Sequence, residues 1–300
     1  MRYLLVINPE AQLGISKRKQ NTLIKTANAV LGKGEVFIVG KDRKEALQDT
    51  NFDTVIFCGG DGTLHHGLQC LPLENVKVGL IPLGSGVDFA SALGIPRKIK
   101  KALEIIGQGK TKRVDLGKIN DRLFVNTVSF GFDAFINQLQ DLKIRPKMKR
   151  LKRYLLPLDA KWCYVIALLY FFLPWTRFEP IEIKIESNRS SLAGEVFMLS
   201  ITNSFRYGGG FKINPQAKID DGFLDACVVL PLSKWSILRK AYSVWQGAHI
   251  LDPTFRIFQF TKMTVKSATP INAQVDGETI MPATYFEIDI LKRMLEVFVP

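Results

Sequence analysis

The run VIFCGGDGTLHHGLQ at residues 55–69 leaves the chain few ways to fold around it. Val55 to Cys58 are apolar and read as a buried strand, Gly59-Gly60 turns it, and Leu64, Leu68 and Leu71 then recur at helical spacing. A strand that turns through glycines into a helix aims backbone N–H groups at one spot beside the positive end of a helix dipole, an arrangement that binds phosphate. Gly59, Gly60 and Gly62 lack a Cβ, so the backbone can adopt strained dihedrals and a ligand can come close. Asp61 is the odd member, because a carboxylate repels a bare phosphate. It fits if it acts through Mg²⁺ or accepts a proton from an attacking hydroxyl. A tight turn with an aspartate cap is the simpler reading of the same five residues.

The chain has 300 residues, enough for two domains, and 47% of them are hydrophobic, which describes a folded protein. Lys and Arg number 41 against 28 Asp and Glu, a net charge of +13. That balance favours anionic partners: a membrane surface, nucleic acid or phosphorylated ligands. No nucleic-acid-reading module is recognisable, so nucleic acid is not an expected partner. Cys58, Cys70, Cys163 and Cys227 are scattered without a CxxC pair, which suits reduced thiols. The apolar run at the start, residues 3–7, is too short for a signal peptide and reads as a first strand.

Strands and helices alternate through the first part. Strands are expected at 3–7, 36–39, 55–58 and 76–81, and helices at 17–31, 43–49, 88–93 and 99–106. The pattern implies a mostly parallel α/β sheet, in which ligands sit outside the carboxyl ends of strands. Asn8-Pro9, the loop 59–63 and the loop Gly84-Ser85-Gly86 all leave strand ends of that kind. The pattern changes after a strand at 123–130, with Asp133 just beyond it. Seven basic residues occupy positions 143–153, from Lys143 to Arg153, and a mostly apolar stretch follows from Trp162 to Trp175. That stretch is shorter than the roughly 20 residues a spanning helix needs. It reads as a buried helix, or as a surface that meets lipid while the basic run meets anionic headgroups. Beyond Pro180 strands are expected at 181–187, 195–202, 224–230, 256–260, 263–266, 271–275 and 285–290, with one helix at 234–245. Antiparallel strands packed as a sandwich are the natural architecture.

Taken together, Asn8-Pro9, GGDGT at 59–63 and PLGSGVDFA at 82–90 resemble the diacylglycerol kinase/sphingosine kinase family of lipid kinases. GFDA at 131–134, YGGGFKINPQAKIDDGFLD at 207–225 and QVDGE at 274–278 resemble its bacterial diacylglycerol-kinase-like branch, in the family's order and over nearly the whole chain. The resemblance implies an α/β nucleotide-binding catalytic domain over 1–130, with 291–300 returning to it. A β-sandwich lipid-binding domain would span 131–290, and ATP would meet a lipid hydroxyl in a cleft between the two. Glu278 matches the general base and Asp61 the carboxylate at the phosphates and Mg²⁺, argued in some members to be the base itself. Asn8, Pro9, Gly59, Gly60, Asp61, Gly62, Thr63, Gly84, Ser85 and Gly86 match the nucleotide site. Lys218 and Phe223, through backbone carbonyls, and Asp221, through its carboxylate, match a structural Mg²⁺ loop.

The chain departs from the family pattern at several points. His65-His66 stand where Asn-Glu is usual, Val87 replaces an asparagine, Ser91 replaces an arginine, and the glycine-rich loop after Pro9 is reduced to EAQLG. Adjacent histidines point about 100° apart on a helix and do not easily share one ion, so they read as solvent-facing or lipid-site residues. His249 reads as structural, Asp133 and Asp276 as functional or as loop and turn carboxylates, and Asp225 as a stabiliser of its own loop. The expected protein is a cytoplasmic, ATP- and Mg²⁺-dependent kinase acting on diacylglycerol or a related lipid alcohol. Its substrate would lie at an anionic membrane, on whose inner face the protein would sit peripherally. The alternative is a catalytically impaired member of the family that still binds nucleotide or lipid. Oligomeric state stays open, with a homodimer one candidate.

Overall fold

A computed structural model describes residues 2–9, 16–38, 47, 52–84, 86–144, 160–173, 176–206, 208 and 210–300. The chain divides into two compact units, Met1–Leu116 with Leu291–Pro300, and Gly117–Ile290. The first unit thus ends earlier than residue 130. The reason is pairing: the strand after it, Thr127–Gly131, takes both its neighbours from the second unit.

In the first unit, β1 (Tyr3–Ile7), β2 (Glu35–Ile38), β3 (Thr54–Gly59) and β4 (Lys77–Pro82) run parallel in the order β4-β3-β1-β2. β1 and β3 are buried throughout, as their unbroken apolar runs require of strands covered on both faces. The last residues of the chain add a further parallel pairing, Glu296 and Val297 against Lys77 and Val78. Helix α1 (Lys17–Leu31) starts at Ser16, whose side chain accepts from the Lys19 N–H, and buries Leu23 and Ala27 one turn apart. Helices α2 (Asp61–Leu68), α3 (Asp88–Ala92) and α4 (Ile99–Gln108) follow. The helix expected at 43–49 falls, but for Leu47, outside the described residues.

Strand β5 (Thr111–Ile119) was not expected, because its first half, TKR, is exposed and charged and only its second half is apolar. The single strand expected at 123–130 is two, β6 (Arg122–Phe124) and β7 (Thr127–Gly131). Between them the N–H groups of Val125 and Asn126 leave the ladder and donate to the Asp276 carboxylate. Helix α5 (Phe132–Leu139) then begins directly from Gly131, whose φ of 77° turns the chain without a side-chain cap. Helix α6 (Ala160–Phe171) accounts for most of the Trp162–Trp175 stretch, burying Ala167 and Phe171 while Leu169 is exposed. Almost all of the basic run beginning at Lys143 lies outside the described residues.

The strands β8 (Ile181–Ser187), β9 (Ser191–Val196), β10 (Met198–Thr202) and β11 (Leu224–Val229) follow. Helix α7 (Lys234–Gln246) separates them from β12 (Phe255–Phe260), β13 (Lys262–Val275) and β14 (Glu278–Phe298). Their pairings are antiparallel, β12-β11-β10-β7-β13, with β13 also against β8 and β14. The run expected at 195–202 breaks at Phe197, whose N–H bonds Val229 and whose carbonyl accepts from Phe132. Conversely the two strands expected at 263–266 and 271–275 are one, bent by register shifts. Val128, Phe130, Ile201, Leu224, Val265 and Phe286 share one buried cluster, the sandwich core. A second cluster, with Phe132, Phe171 and Phe197, packs helices α5, α6 and α7 on the sheet.

His249 is buried in this second unit, with Nε2 2.8 Å from the Ile213 carbonyl and its ring edge-on to Phe255. Burial holds its pKa below the ordinary 6.5, although the Ile213 and Ser243 carbonyls and Asp252 oppose the shift. The unfolded chain therefore takes up the proton first as pH falls below 6.5, and stability present above that value is lost. The drop in Tm between pH 7.5 and pH 5.5 should be smaller in His249→Gln than in the native protein, as read by calorimetry.

Candidate active site

In the first unit, two loops are in contact. β3 and β4 lie side by side, and the turns that leave their carboxyl ends are bonded backbone to backbone. The N–H groups of Leu83 and Gly84 donate to the Gly59 carbonyl (2.8 and 3.0 Å), and the Asp61 N–H donates to the Gly86 carbonyl (2.9 Å). A Cβ on Gly84 would stand 2.2 Å from the Gly60 Cα, one on Gly60 2.6 Å from the Gly86 carbonyl oxygen, and one on Gly59 2.3 Å from the Thr63 hydroxyl. None of Gly59, Gly60, Gly84 and Gly86 has a positive φ. Gly59, Gly60 and Gly84 are thus required by close approach, and the strained dihedrals expected from the sequence are not used.

Helix α2 starts at Asp61 with Gly60 as its N-cap and no side-chain cap. Gly62 therefore stands in the first turn, whose amides a helix cannot satisfy internally. Asp61 turns its carboxylate to the next loop, accepting from Asp88 N–H (2.8 Å) and Phe89 N–H (3.4 Å) at the start of α3. Asn8 donates through Nδ2 to the Thr63 hydroxyl (2.9 Å), and its own N–H bonds the Cys58 carbonyl. Asn8, Thr63, Gly60 and Gly86 are thus tied together, with Pro9 following Asn8. A narrow pocket beside them is lined by Gly59, Gly60, Asp61, Pro82, Val87 and Ala90. Ser85 is outside the described residues. His65 is buried, contrary to its reading as solvent-facing, because its position on α2 points inward; its ring stands edge-on to that of His66.

In the second unit, the segment 274–278 forms a turn. Val275 pairs with Glu278 across Asp276 (φ 49°) and Gly277 (φ 86°), two residues of left-handed backbone as in a type I′ hairpin. The Asp276 carboxylate accepts from the N–H groups of Val125, Asn126 and Thr127 at 2.8–2.9 Å, and the Asp276 N–H donates to the Thr127 carbonyl. The Gly277 N–H donates to Gln274 Oε1, and its carbonyl accepts from Asn137 Nδ2. Gln274 in turn donates to Ser129 Oγ and Asp133 Oδ2, and Ser129 bonds Asp133. Ser129, Asp133, Asn137 and Gln274 are all buried. Every bond in this polar network bears, directly or at one remove, on the residues that precede the half-buried Glu278.

The loop carrying Lys218, Asp221 and Phe223 is anchored by Asn214, whose Nδ2 donates to Thr202 and to the Asp225 carbonyl. Asp221 accepts from the Phe223 N–H through one oxygen and from Gln259 through the other. Asp225 is buried; its carbonyl accepts from Asn214 Nδ2 and Gln259 bonds its side chain, while Oδ2 has no hydrogen-bond partner. Burial, reinforced by the charge of Asp221, pushes its pKa up to about 6. Among the described residues no group of three or more His, Cys, Asp and Glu side chains gathers as a metal cluster. Beneath α7 lies an apolar pocket of roughly 660 Å³ counting its open mouth, lined by Phe132, Phe197, Phe211, Ile237, Val244 and Phe255 among others.

Residues 2–119 match the diacylglycerol kinase catalytic domain, and residues 126–299 match the YegS C-terminal NAD kinase beta sandwich-like domain. A diacylglycerol kinase of Staphylococcus saprophyticus is 31% identical over 271 residues, covering 87% of this chain and 82% of that one. One from Staphylococcus aureus is 31% identical over 263 residues, covering 85% and 77%. The chain belongs to the diacylglycerol kinase family. A crystal structure of a diacylglycerol kinase from Bacillus anthracis superposes with a TM-score of 0.72 at 19% identity, covering 100% of this chain and 97% of that one. Another crystal structure from that organism reaches 0.80 at 21% identity with the same coverage, and at such identities the likeness bears on the fold.

In this member of the diacylglycerol kinase family, both chemistry-bearing segments are thus held by backbone amides around one aspartate each, Asp61 and Asp276. Sequence reasoning left Asp276 open between functional and turn carboxylate and did not find Gln274 or Asn137. The Asp-Gly pair between two β-rich runs was the available signal for the hairpin. Among the described residues no helix is long and apolar enough to cross a membrane. Gly84→Ala should cost about 1–3 kcal/mol, because the new Cβ meets backbone that cannot rotate away. The loss should show as a lower Tm of the variant in parallel melts with the native protein.

Proposed function

We propose that this lipid kinase transfers the γ-phosphate of ATP to a hydroxyl of diacylglycerol or a related long-chain lipid alcohol, with Glu278 as general base. The observation that carries the assignment is the bracing of the 274–278 turn: seven hydrogen bonds fix the residues before Glu278, through Asp276, Gly277 and Gln274. Phosphoryl transfer needs positioning and charge neutralisation more than covalent chemistry, so a rigidly presented carboxylate is what the acceptor side requires. The relatives named diacylglycerol kinase support the same substrate class.

On the nucleotide side, the Gly62 amide at the start of α2 would meet a phosphate oxygen, since the Asp61, Thr63 and Gly84 amides are already given to the Gly86, Gly60 and Gly59 carbonyls, with Asn8 and Thr63 holding the loops together. Asp61 already accepts from two amides of α3, which favours its holding that loop in place over its taking the substrate proton. In the transfer, the lipid oxygen would attack the γ-phosphorus as its proton passes to Glu278, and the bond to the bridging oxygen would break to release ADP. Mg²⁺, when bound, supplies charge neutralisation at the phosphates. A second ion would suit the loop carrying Lys218, Asp221 and Phe223. The unpartnered, buried Asp225 Oδ2 close to Asp221 is the kind of oxygen pair that a hard cation relieves. The apolar pocket under α7 would take up part of an acyl chain. We place the protein peripherally at a membrane, with the basic residues between Lys143 and Arg153 and the stretch from Trp162 to Trp175 as expected points of contact.

Purified protein with Mg-ATP and mixed micelles should label diacylglycerol. Glu278→Gln should lower kcat by about 10²–10⁴-fold, the usual worth of a general base, with KM for the nucleotide little changed. If no lipid in a broad panel is labelled and Asp61→Ala behaves as the native protein does, the reading fails. Asp276→Ala should lower kcat while Glu278 is intact, and should also lower Tm, since three amides lose one acceptor; a cost of about 2–4 kcal/mol is expected.

A further inference from the structure

Helix α7 is apolar on two opposite sides. Its inward side, with Ile237 and Val244, lines the pocket described above. Its outward side carries Trp235, Leu238, Tyr242 and Trp245, spaced 3, 4 and 3 residues apart on one face, and their exposures are 74%, 44%, 68% and 47%. A helix face turned to water is ordinarily charged or polar. Here Arg239, lying between Trp235 and Tyr242 on the same face, is the one charged residue on it. The short helical turn that follows, Ala248–Leu251, continues the apolar surface with Leu251, which is 90% exposed.

We infer that this face of α7 is a membrane-contacting surface that seats on an anionic bilayer at headgroup depth. The side chains are of the right kind: Trp and Tyr pair an apolar body with a polar tip and concentrate at membrane–water interfaces. The charge is also of the right sign. Three of the thirteen residues of α7 are basic and none is acidic. Lys234 is turned inward to the carbonyls of Phe171, Leu173 and Thr176, and Lys240 neutralises Asp252, which leaves Arg239 on the exposed face as the cation for a lipid phosphate. A second copy of the chain fits the face less well, because a two-fold contact would bring together two chains of +13 with no acidic residue on α7 to pair with Arg239. The helix is firmly set for the task, capped by Ser233 at its start and by Gly247 at its end, with Trp235 against Phe172 and Trp245 against Phe211. The pocket lies under the same helix, so a lipid tail leaving the bilayer at α7 has apolar surface to enter. The inference rests on the lipid-kinase reading for the bilayer as occupant, but it is tested without turnover.

Co-sedimentation with vesicles of phosphatidylcholine containing phosphatidylglycerol should show binding that weakens in pure phosphatidylcholine. Brominated acyl chains in those vesicles should quench tryptophan fluorescence of the native protein. Tyr242→Ser with Leu251→Ser should bind about tenfold or more weakly, with a little-changed Tm because both side chains face solvent. Equal binding by the variant, or native protein that is not quenched, overturns the inference. So does a native protein that ignores vesicles while the variant shifts from dimer to monomer in sedimentation velocity, which would identify a second copy as the occupant. Native protein that phosphorylates detergent-dispersed diacylglycerol yet ignores vesicles removes this inference and keeps the kinase reading. Vesicle binding without labelling of any lipid does the reverse.

Discussion

The first unit depends on one contact, the touching backbones of Gly60 and Gly84. Two neighbouring parallel strands end at the same level, and each must turn through a loop in the space above them. Backbones can meet there only where neither residue has a Cβ, and the carbonyls of Gly59 and Gly86 then find amide donors in the opposite loop. Asp61 follows from this packing. With its amide committed to Gly86, its carboxylate comes within reach of the first amides of α3, which are short of acceptors like those of any helix start. The acid in this loop, a puzzle on charge alone if the loop is to bind phosphate, is thereby the clip that positions the neighbouring loop. Val87, where the family usually has asparagine, is buried at the head of α3 and lines the small pocket, so the change trades a polar contact for packing.

The second unit solves the same problem with opposite means. Its sandwich core is apolar, yet on the opposite face of β7 and β13 Ser129 and Gln274 are buried with Asp133 and Asn137 of helix α5. Buried polar groups are costly unless satisfied, and here they satisfy one another and the Gly277 amide and carbonyl. Such a network holds a unique geometry, because any displacement leaves a donor or acceptor unpaired in a low-dielectric interior. Asp276 adds three amide donors from 125–127, and those amides are available only because β6 and β7 separate there. The break in the strand and the fixing of the turn are one event.

This explains where the sequence was legible and where it was not. β1, β3 and β4 read clearly because parallel strands covered on both faces are unbroken apolar runs, whereas the charged start of β5 hid that strand. The single run over 123–130 concealed a break, since what interrupts it is a carboxylate 150 residues further along the chain. Phe197 likewise interrupts 195–202 through bonds to Val229 and Phe132, which no local pattern records. Helix α5 was missed for want of a capping residue, Gly131 providing the turn by its φ alone. The glycine loops were legible as close-approach sites, although the dihedral strain read into them was not there. Glu278 had no local signature of its own and came from resemblance, while the supporting Gln274 and Asn137 came only from three dimensions.

The apolar pocket limits what the second unit can read in a lipid. The polar side chain lining it is Lys240, and that ammonium is committed to Asp252 and Thr254. A headgroup placed in the pocket would lose its hydration without finding a partner, whereas a hydrocarbon tail gains about 0.8 kcal/mol for each methylene buried. Neither Glu278 nor Asp276 lines it. On the proposed reading, the portion of a lipid that would bind there is not the portion that would react, so chain length would govern binding and the braced turn the chemistry. Trimming a substrate's acyl chain should weaken affinity far more than it slows the transfer step, a separation that follows from placing an apolar cavity and a fixed carboxylate in different parts of one unit.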